Sequence, residues 1–364
     1  MKKLFGLLSV ILFFGFAGSS FAQISWAGDF QVRPRYDMKN WRDFGSGGIK
    51  LNNDMYYLLK ATLDVSADIG DGFFAKTRLE HYGIAGYIWT NRLFGDVPPL
   101  ANTNDLIGRP TVNFNLLYFG VNKPEWGVEA GIFPIDGIAN PLLDIHYMPQ
   151  LMIDIPFALY RLNSLVGAFG YINAGPGKID IFASNDQNNA YIEAVNGTVV
   201  SDRHDTYTFG LDYSFKVSDF WFQPEVMLTW ASDSVAAPVS YGFNLSTPEF
   251  SGIRLGGSAA FSKQDKDFTA KYDAQLFRIK LDAKFGPGAL QAWYDIAKRT
   301  DKFETGDIDN NFTYIWLMYK FPVFSSEHGA FSIIPRWRHI TQKVDNAVDF
   351  SREKIECLFS ISFK

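Results

Sequence analysis

The chain is short of cysteine, of histidine motifs, of long apolar runs and of positive charge, and each shortage removes a class of function. Cys357 stands alone, so no internal disulfide or Cys-based metal framework exists. The histidines are His81, His146, His204, His328 and His339, and none falls in a His-Glu-x-x-His or Cys/His zinc spacing. No Gly-x-Ser-x-Gly elbow is present, nor a glycine-rich phosphate loop opening a helix. His204 beside Asp205 is an adjacency without a third member, and Asp307 to Asn311 lacks the full spacing of a calcium loop. No catalytic residue, metal or cofactor is therefore expected. Past the first residues no run reaches the ~18 apolar positions of a spanning helix. Lys and Arg number 34 against 39 Asp and Glu, a net charge of −5 that argues against nucleic acid as a partner. No fixed-period repeat or low-complexity segment appears.

What is present begins with an export signal over residues 1–22. Lys2 and Lys3 give a basic start, Leu4 to Phe16 an apolar core, and Ser20-Phe21-Ala22 a small-x-small cleavage site. The mature chain is then 23–364, one domain, with no cysteine beside the cleavage site to carry a lipid anchor.

Aromatics reach 16%, with 34 Phe, 17 Tyr and 9 Trp. They recur with period two, the mark of an extended strand with one apolar and one polar face. In the last stretch Ile355, Cys357, Phe359, Ile361 and Phe363 alternate with Glu356, Ser360 and Ser362, and only Leu358 breaks the pattern. Near the start Ile24, Trp26, Phe30 and Val32 alternate with Ser25, Asp29, Gln31, Arg33 and Arg35. Pairing first strand to last would close the sheet and leave no aggregation-prone edge. A closed barrel is one of two structures that cross a bilayer with every backbone group satisfied.

Alternation bounded by Gly, Pro, Asn and Asp clusters predicts strands at 24–36, 55–69, 73–84, 112–122, 126–134, 163–173, 178–185, 205–217, 220–232, 252–263, 273–285, 288–298, 311–321, 330–340 and 353–363. That count is odd, and bacterial single-chain barrels have an even number. Short links should share one end, so the tight Gly286-Pro287-Gly288 turn requires one more strand before it. Val239, Tyr241, Phe243 and Leu245, alternating with Ser240, Gly242, Asn244 and Ser246, supply it. The expectation is about sixteen strands, all-β, antiparallel and up-and-down. The local pattern alone also fits a soluble sandwich; aromatic faces and alternating short and long links favour the barrel.

Signal, dyad strands and an aromatic-ended final strand together resemble a bacterial outer-membrane porin. The resemblance covers the whole mature chain without singling out a general, alginate-export-like or phosphate-selective subfamily. It implies a passive channel in the outer membrane for small hydrophilic solutes and ions. A selective channel for anionic sugars or phosphate, and a non-transporting adhesive barrel, are the alternatives. It further implies contact with outer-membrane lipid, and recognition of the 353–363 strand by the barrel-assembly machinery. A homotrimer is one assembly such barrels adopt. In similar proteins the loop after strand five folds inward, and here the apolar stretch 135–162 occupies that place.

If the apolar face meets lipid, the other face lines water. The expected pore-lining set has a basic side of Arg33, Arg35, Arg336 and Arg338 around Glu356, continued by Lys60, Lys76, Arg78 and Glu80. Facing it would be Asp212 and Glu225, with Asp136, Asp144 and Asp154 from the loop. A basic wall opposite acids would set up a transverse field. Trp293 and Trp316 fall on the polar phase; they are either a stacking surface for sugars or, more commonly for such residues, interface anchors displaced by a bulge.

Overall fold

A computed structural model describes residues 23–42, 49–85, 112–135, 140–147, 164–195, 198–231, 236–266, 270–344 and 348–364. The strands are β1 (Gln23–Arg42), β2 (Ile49–Gly70), β3 (Phe73–Ala85), β4 (Asn113–Asn122), β5 (Trp126–Pro134), β6 (Ser164–Ala174), β7 (Gly177–Val195) and β8 (Thr198–Val217). Then follow β9 (Phe220–Ala231), β10 (Val239–Ser246), β11 (Ile253–Gln264), β12 (Lys271–Phe285), β13 (Gly288–Lys302), β14 (Ile308–Ser326), β15 (Gly329–Val344) and β16 (Val348–Phe363). One helix, α1 (Pro141–Tyr147), lies between β5 and β6. Each strand pairs antiparallel with its sequence neighbours, and β1 pairs with β16 to close the ring. The sixteenth strand inferred from parity is β10, paired on both sides.

Tight turns gather at one end. Gly175-Pro176 and Gly286-Pro287 each place a glycine of φ 58° at the first turn position, which suits the twist of a two-residue hairpin. Ser218 and Asp219 both adopt positive φ, the mirror-image turn that matches strand twist. Gln23 and Lys364, the first and last described residues, lie at this same end.

Several strands outrun their expected bounds at the other end: β1 continues past Tyr36 to Arg42, β7 past Asn185 to Val195, and β8 and β16 begin at Thr198 and Val348. Beyond the lipid band an outward side chain need not be apolar. The alternation that marks a strand fades there while the ladder continues, as at Asn188↔Asp205.

Amphipathicity is inverted relative to a soluble protein. Phe209, Leu211, Phe359 and Ile361 are 45, 46, 37 and 51% exposed, whereas Arg33 and Glu356 retain 3 and 2%. A sandwich would bury the first set and expose the second. Cys357 follows the outward phase, and Leu358 breaks the alternation because it is buried on the inner face, paired with Ile334.

Inside, two apolar clusters line opposite parts of the wall. One joins Phe74, Leu116, Tyr118, Phe133 and Leu165 of β3 to β6. The other includes Met227, Ala260, Leu276, Phe312, Tyr314 and Ile340, and α1 adds Leu142, Leu143 and Ile145 to it. Ile135 and Tyr147 pack on both, so the segment after β5 bridges the lumen as expected. The stretch expected to be loop contains a helical turn, started by Asn140 and Pro141. The Asn140 side chain accepts from Leu142 N at 2.9 Å, and proline at the first helical position gives up no hydrogen bond.

Candidate functional site

The inner faces of β15, β16 and β1 carry a checkerboard of charge. Arg35, Glu356 and Arg336 form one cross-strand row. Asp37, Lys354 and Arg338 form the next, and Lys39, Arg352 and Ile340 the third. Arg33 extends the set below, beside Leu358 and Ile334. These four rows hold seven cations and two carboxylates, Asp37 and Glu356.

Each carboxylate is gripped by arginine. Glu356, with no exposed side-chain surface, accepts from Arg35 Nε and, at 2.8 Å, from Arg338 Nη2. Asp37 accepts two bonds from Arg352, at 2.8 and 2.5 Å, and a third from the Tyr56 hydroxyl at 3.2 Å. Such forked, charge-assisted pairs are shorter and stronger than neutral ones. Removing one partner of a pair this buried costs about 3–5 kcal/mol. Beside the checkerboard, Arg338 lies 4.6 Å from the Trp316 ring, and Trp316 stacks on Trp293 at 4.5 Å. Arg278 covers the far side of Trp293 at 5.4 Å and forks onto Asp295 at 2.7 and 2.8 Å.

The tryptophans therefore face inward and in register, Trp293↔Trp316. They are not displaced anchors, and with Arg338 and Arg278 on their flanks both are buried, which leaves no open ring face for a sugar.

The wall of β7 to β12 is of another kind. There α1 packs chiefly on β11, with β10 and β12 beside it. Ser240, Ala260 and Ser262 are small and fully or nearly buried, so the helix approaches closely. His146 holds the hydroxyls of Ser240 and Thr229, both at 2.8 Å. Thr229 shares a 2.7 Å bond with Thr208, which donates to Asp186 at 2.5 Å. Tyr147 reaches Ser184 at 3.0 Å. The Asn140 amide donates to Glu225, which also accepts from Asn244 at 3.2 Å.

Of the residues expected to line the pore, Arg33, Arg35, Arg336, Arg338 and Glu356 come together. Lys60 pairs with Glu80 at 3.1 Å and Arg78 with Asp64 at 2.7 Å, so that part of the wall is charge-balanced rather than basic. Lys76 lies over the Phe74 ring at 5.0 Å. Asp212 accepts from Gln223 at 2.9 Å. Asp144 is buried on α1 in the field of Arg278. Asp136 and Asp154 lie outside the described residues, as does the side chain of His204. Of the expected acids among the described residues, Asp212 and Glu225 accept from neutral amides and Asp144 is buried on the helix, so the expected open acidic face is not formed by them.

Four participants escape the sequence reading: Asp37, Lys39, Arg352 and Lys354. All continue the phase of Arg33 or Glu356: Lys354 already lies within the expected last strand, and extending the alternation past Tyr36 and before Glu353 reaches the other three. Among the described residues no group of three or more His, Cys, Asp or Glu could hold a metal.

No protein-family model and no curated protein matches the chain. Solved structures do. A loop-deletion mutant of OmpT, an outer membrane protein of Vibrio cholerae, matches over 94% of this chain and all of its own, with TM-score 0.57 and 11% identity. The outer membrane channel DcaP of Acinetobacter baumannii matches over 96% of this chain and 99% of its own, with TM-score 0.56 and 10% identity. An anion-selective porin from Comamonas acidovorans matches over 93% and 100%, with TM-score 0.51 and 13% identity. At such identities the likeness shows the fold, a closed barrel of the outer-membrane porin type.

Proposed function

We propose that this chain is an outer-membrane porin: a passive, non-enzymatic aqueous channel for small hydrophilic solutes and ions, with anions favoured. The observation that carries the reading is a closed ring, apolar outside, whose inner wall holds a surplus of five positive charges over four consecutive rows. Low-dielectric walls focus that potential into the gap, and rings of basic side chains favour anions in pores. The anion-selective Comamonas acidovorans porin shares the fold. Residues 1–22 direct export in this reading, lipid surrounds the apolar exterior, and the 353–363 strand is the signal to the assembly machinery. A homotrimer is included in the proposal, since a trimer form of Vibrio cholerae OmpT is among the structures of this fold.

A second reading, a channel selective for an anionic sugar or phosphate, draws on the forked geometry of arginine, which suits carboxylate and phosphate. Planar-bilayer recording of the purified chain tests both. Expected are ohmic pores whose reversal potential in a KCl gradient favours chloride. Changing Arg33, Arg35, Arg336 and Arg338 together to Gln should move it toward cations. Unchanged selectivity overturns the anion preference, and absence of current would favour a structural or adhesive barrel.

A further inference from the structure

The checkerboard holds a carboxylate where a pore that merely attracted anions would hold none. Glu356 lies opposite Arg35 on one side and Arg336 on the other. One of its oxygens takes Arg35 and the other takes Arg338, while Arg33 and Arg336 act on it through charge. It is sealed from solvent on its side chain. A planar carboxylate with a guanidinium on each oxygen is the arrangement a permeating carboxylate, phosphate or sulfate would be given by the same arginines. The wall has filled that seat with its own side chain.

We infer that Glu356 is a specificity-determining residue: a tethered counter-anion that keeps doubly charged oxyanions from being trapped by Arg35 and Arg338. The inference rests on the pore reading above. Its logic is the requirement that a conducting site bind weakly enough to release. With Glu356 in place, a visitor meets Arg35 and Arg338 already donating to a carboxylate, so it is drawn by the net field without gaining both guanidinium groups. Monovalent ions cross such a field readily. A dianion, which gains twice from the field, would otherwise stay longest and block the pore. Asp37, two residues beyond Arg35 on β1 and forked by Arg352, is a second internal counter-anion and extends the protection upward.

The test compares the wild-type chain with Glu356→Gln and Glu356→Asp in planar bilayers, with chloride as carrier and inorganic phosphate as blocker. Gln keeps the shape and removes the charge. Asp keeps the charge but withdraws it by one methylene, so it no longer spans both arginines, and it serves if the Gln barrel fails to fold. The expected result is a half-blocking phosphate concentration lowered about tenfold or more in Glu356→Gln, with a smaller shift in the same direction in Glu356→Asp. Chloride conductance of the unblocked pore should change far less. A residue that merely braced the wall would alter conductance for both ions alike. A conducting wild type whose phosphate block is unmoved by both variants overturns this inference and leaves the pore. A wild type without current overturns the pore reading before any variant is made.

Discussion

The wall of β15, β16 and β1 and the wall of β7 to β12 face one another across a single lumen, and they are held by different forces. The first is built from ions, seven cations around two carboxylates, with charge-assisted pairs at Asp37 and Glu356. The second is built from small side chains, hydroxyls and an apolar floor, and its acids are satisfied by neutral donors such as Asn140 and Asn244. The difference follows from what each wall must face. On the first wall the ions are themselves buried, and the forked pairs at Asp37 and Glu356 offset their desolvation. A surface covered by α1 is dry, and an unpaired ion there would be strongly destabilising. Where charge does occur beside the helix, as in Arg278 with Asp295, it is buried and paired, and the surplus of cations lies on the other wall.

The strongest way to break this contrast is to undock the helix. Replacing Leu142 and Ile145 together by Asp removes two fully buried side chains from the apolar floor, and truncation alone at such sites costs about 2–5 kcal/mol each. Single-channel conductance should rise, because the covered wall becomes accessible. Breaking the charged wall instead, by Arg352→Gln, leaves Asp37 buried without its fork, at about 3–5 kcal/mol. The temperature at which the folded band is lost on SDS gels should fall, while conductance changes little.

Acid sharpens the comparison. Burial pushes the His146 imidazole down to about 3, against an ordinary value near 6.5. The docked helix holds His146 neutral while the undocked form takes up a proton. Docking is therefore fully stabilised above about pH 6.5 and weakens by roughly 1.4 kcal/mol per pH unit below it, down to the docked value. Current fluctuations should increase at pH 5 relative to 7.5, and His146→Gln should remove that dependence. Smallest is Asn140→Ala, which deletes the cap of α1 and a donor to Glu225, at about 1 kcal/mol for the cap. It should raise the same fluctuations slightly at every pH.

Much of the barrel was legible, and the reasons are local. Tyr207 to Val217 alternate without a fault, Gly286-Pro287-Gly288 marks its turn by composition, and β10 follows from requiring short turns to share one end. The expected cluster of four arginines around Glu356 could be placed because phase and strand order determine which side chains share a height. What stayed hidden depends on contacts between strands rather than within one. Lys60 and Arg78 read as basic wall, since nothing in β2 or β3 alone reveals that Glu80 lies diagonally across from Lys60 and Asp64 directly opposite Arg78. The helix start at Asn140-Pro141 is a recognisable signal, but a strand-by-strand reading passes over it. Arg278 with Asp295 was hidden because the pair forms only when β12 meets β13.

The charged rows straddle the seam where the ends of the chain meet. Arg35 binds a residue 321 positions away and Arg352 one 315 away. Nothing like this array can exist on a nascent polypeptide, or on a half-inserted sheet still lacking its final strand. Zippering of the seam and completion of the charged array therefore become one event, and no partly closed sheet carries the finished array.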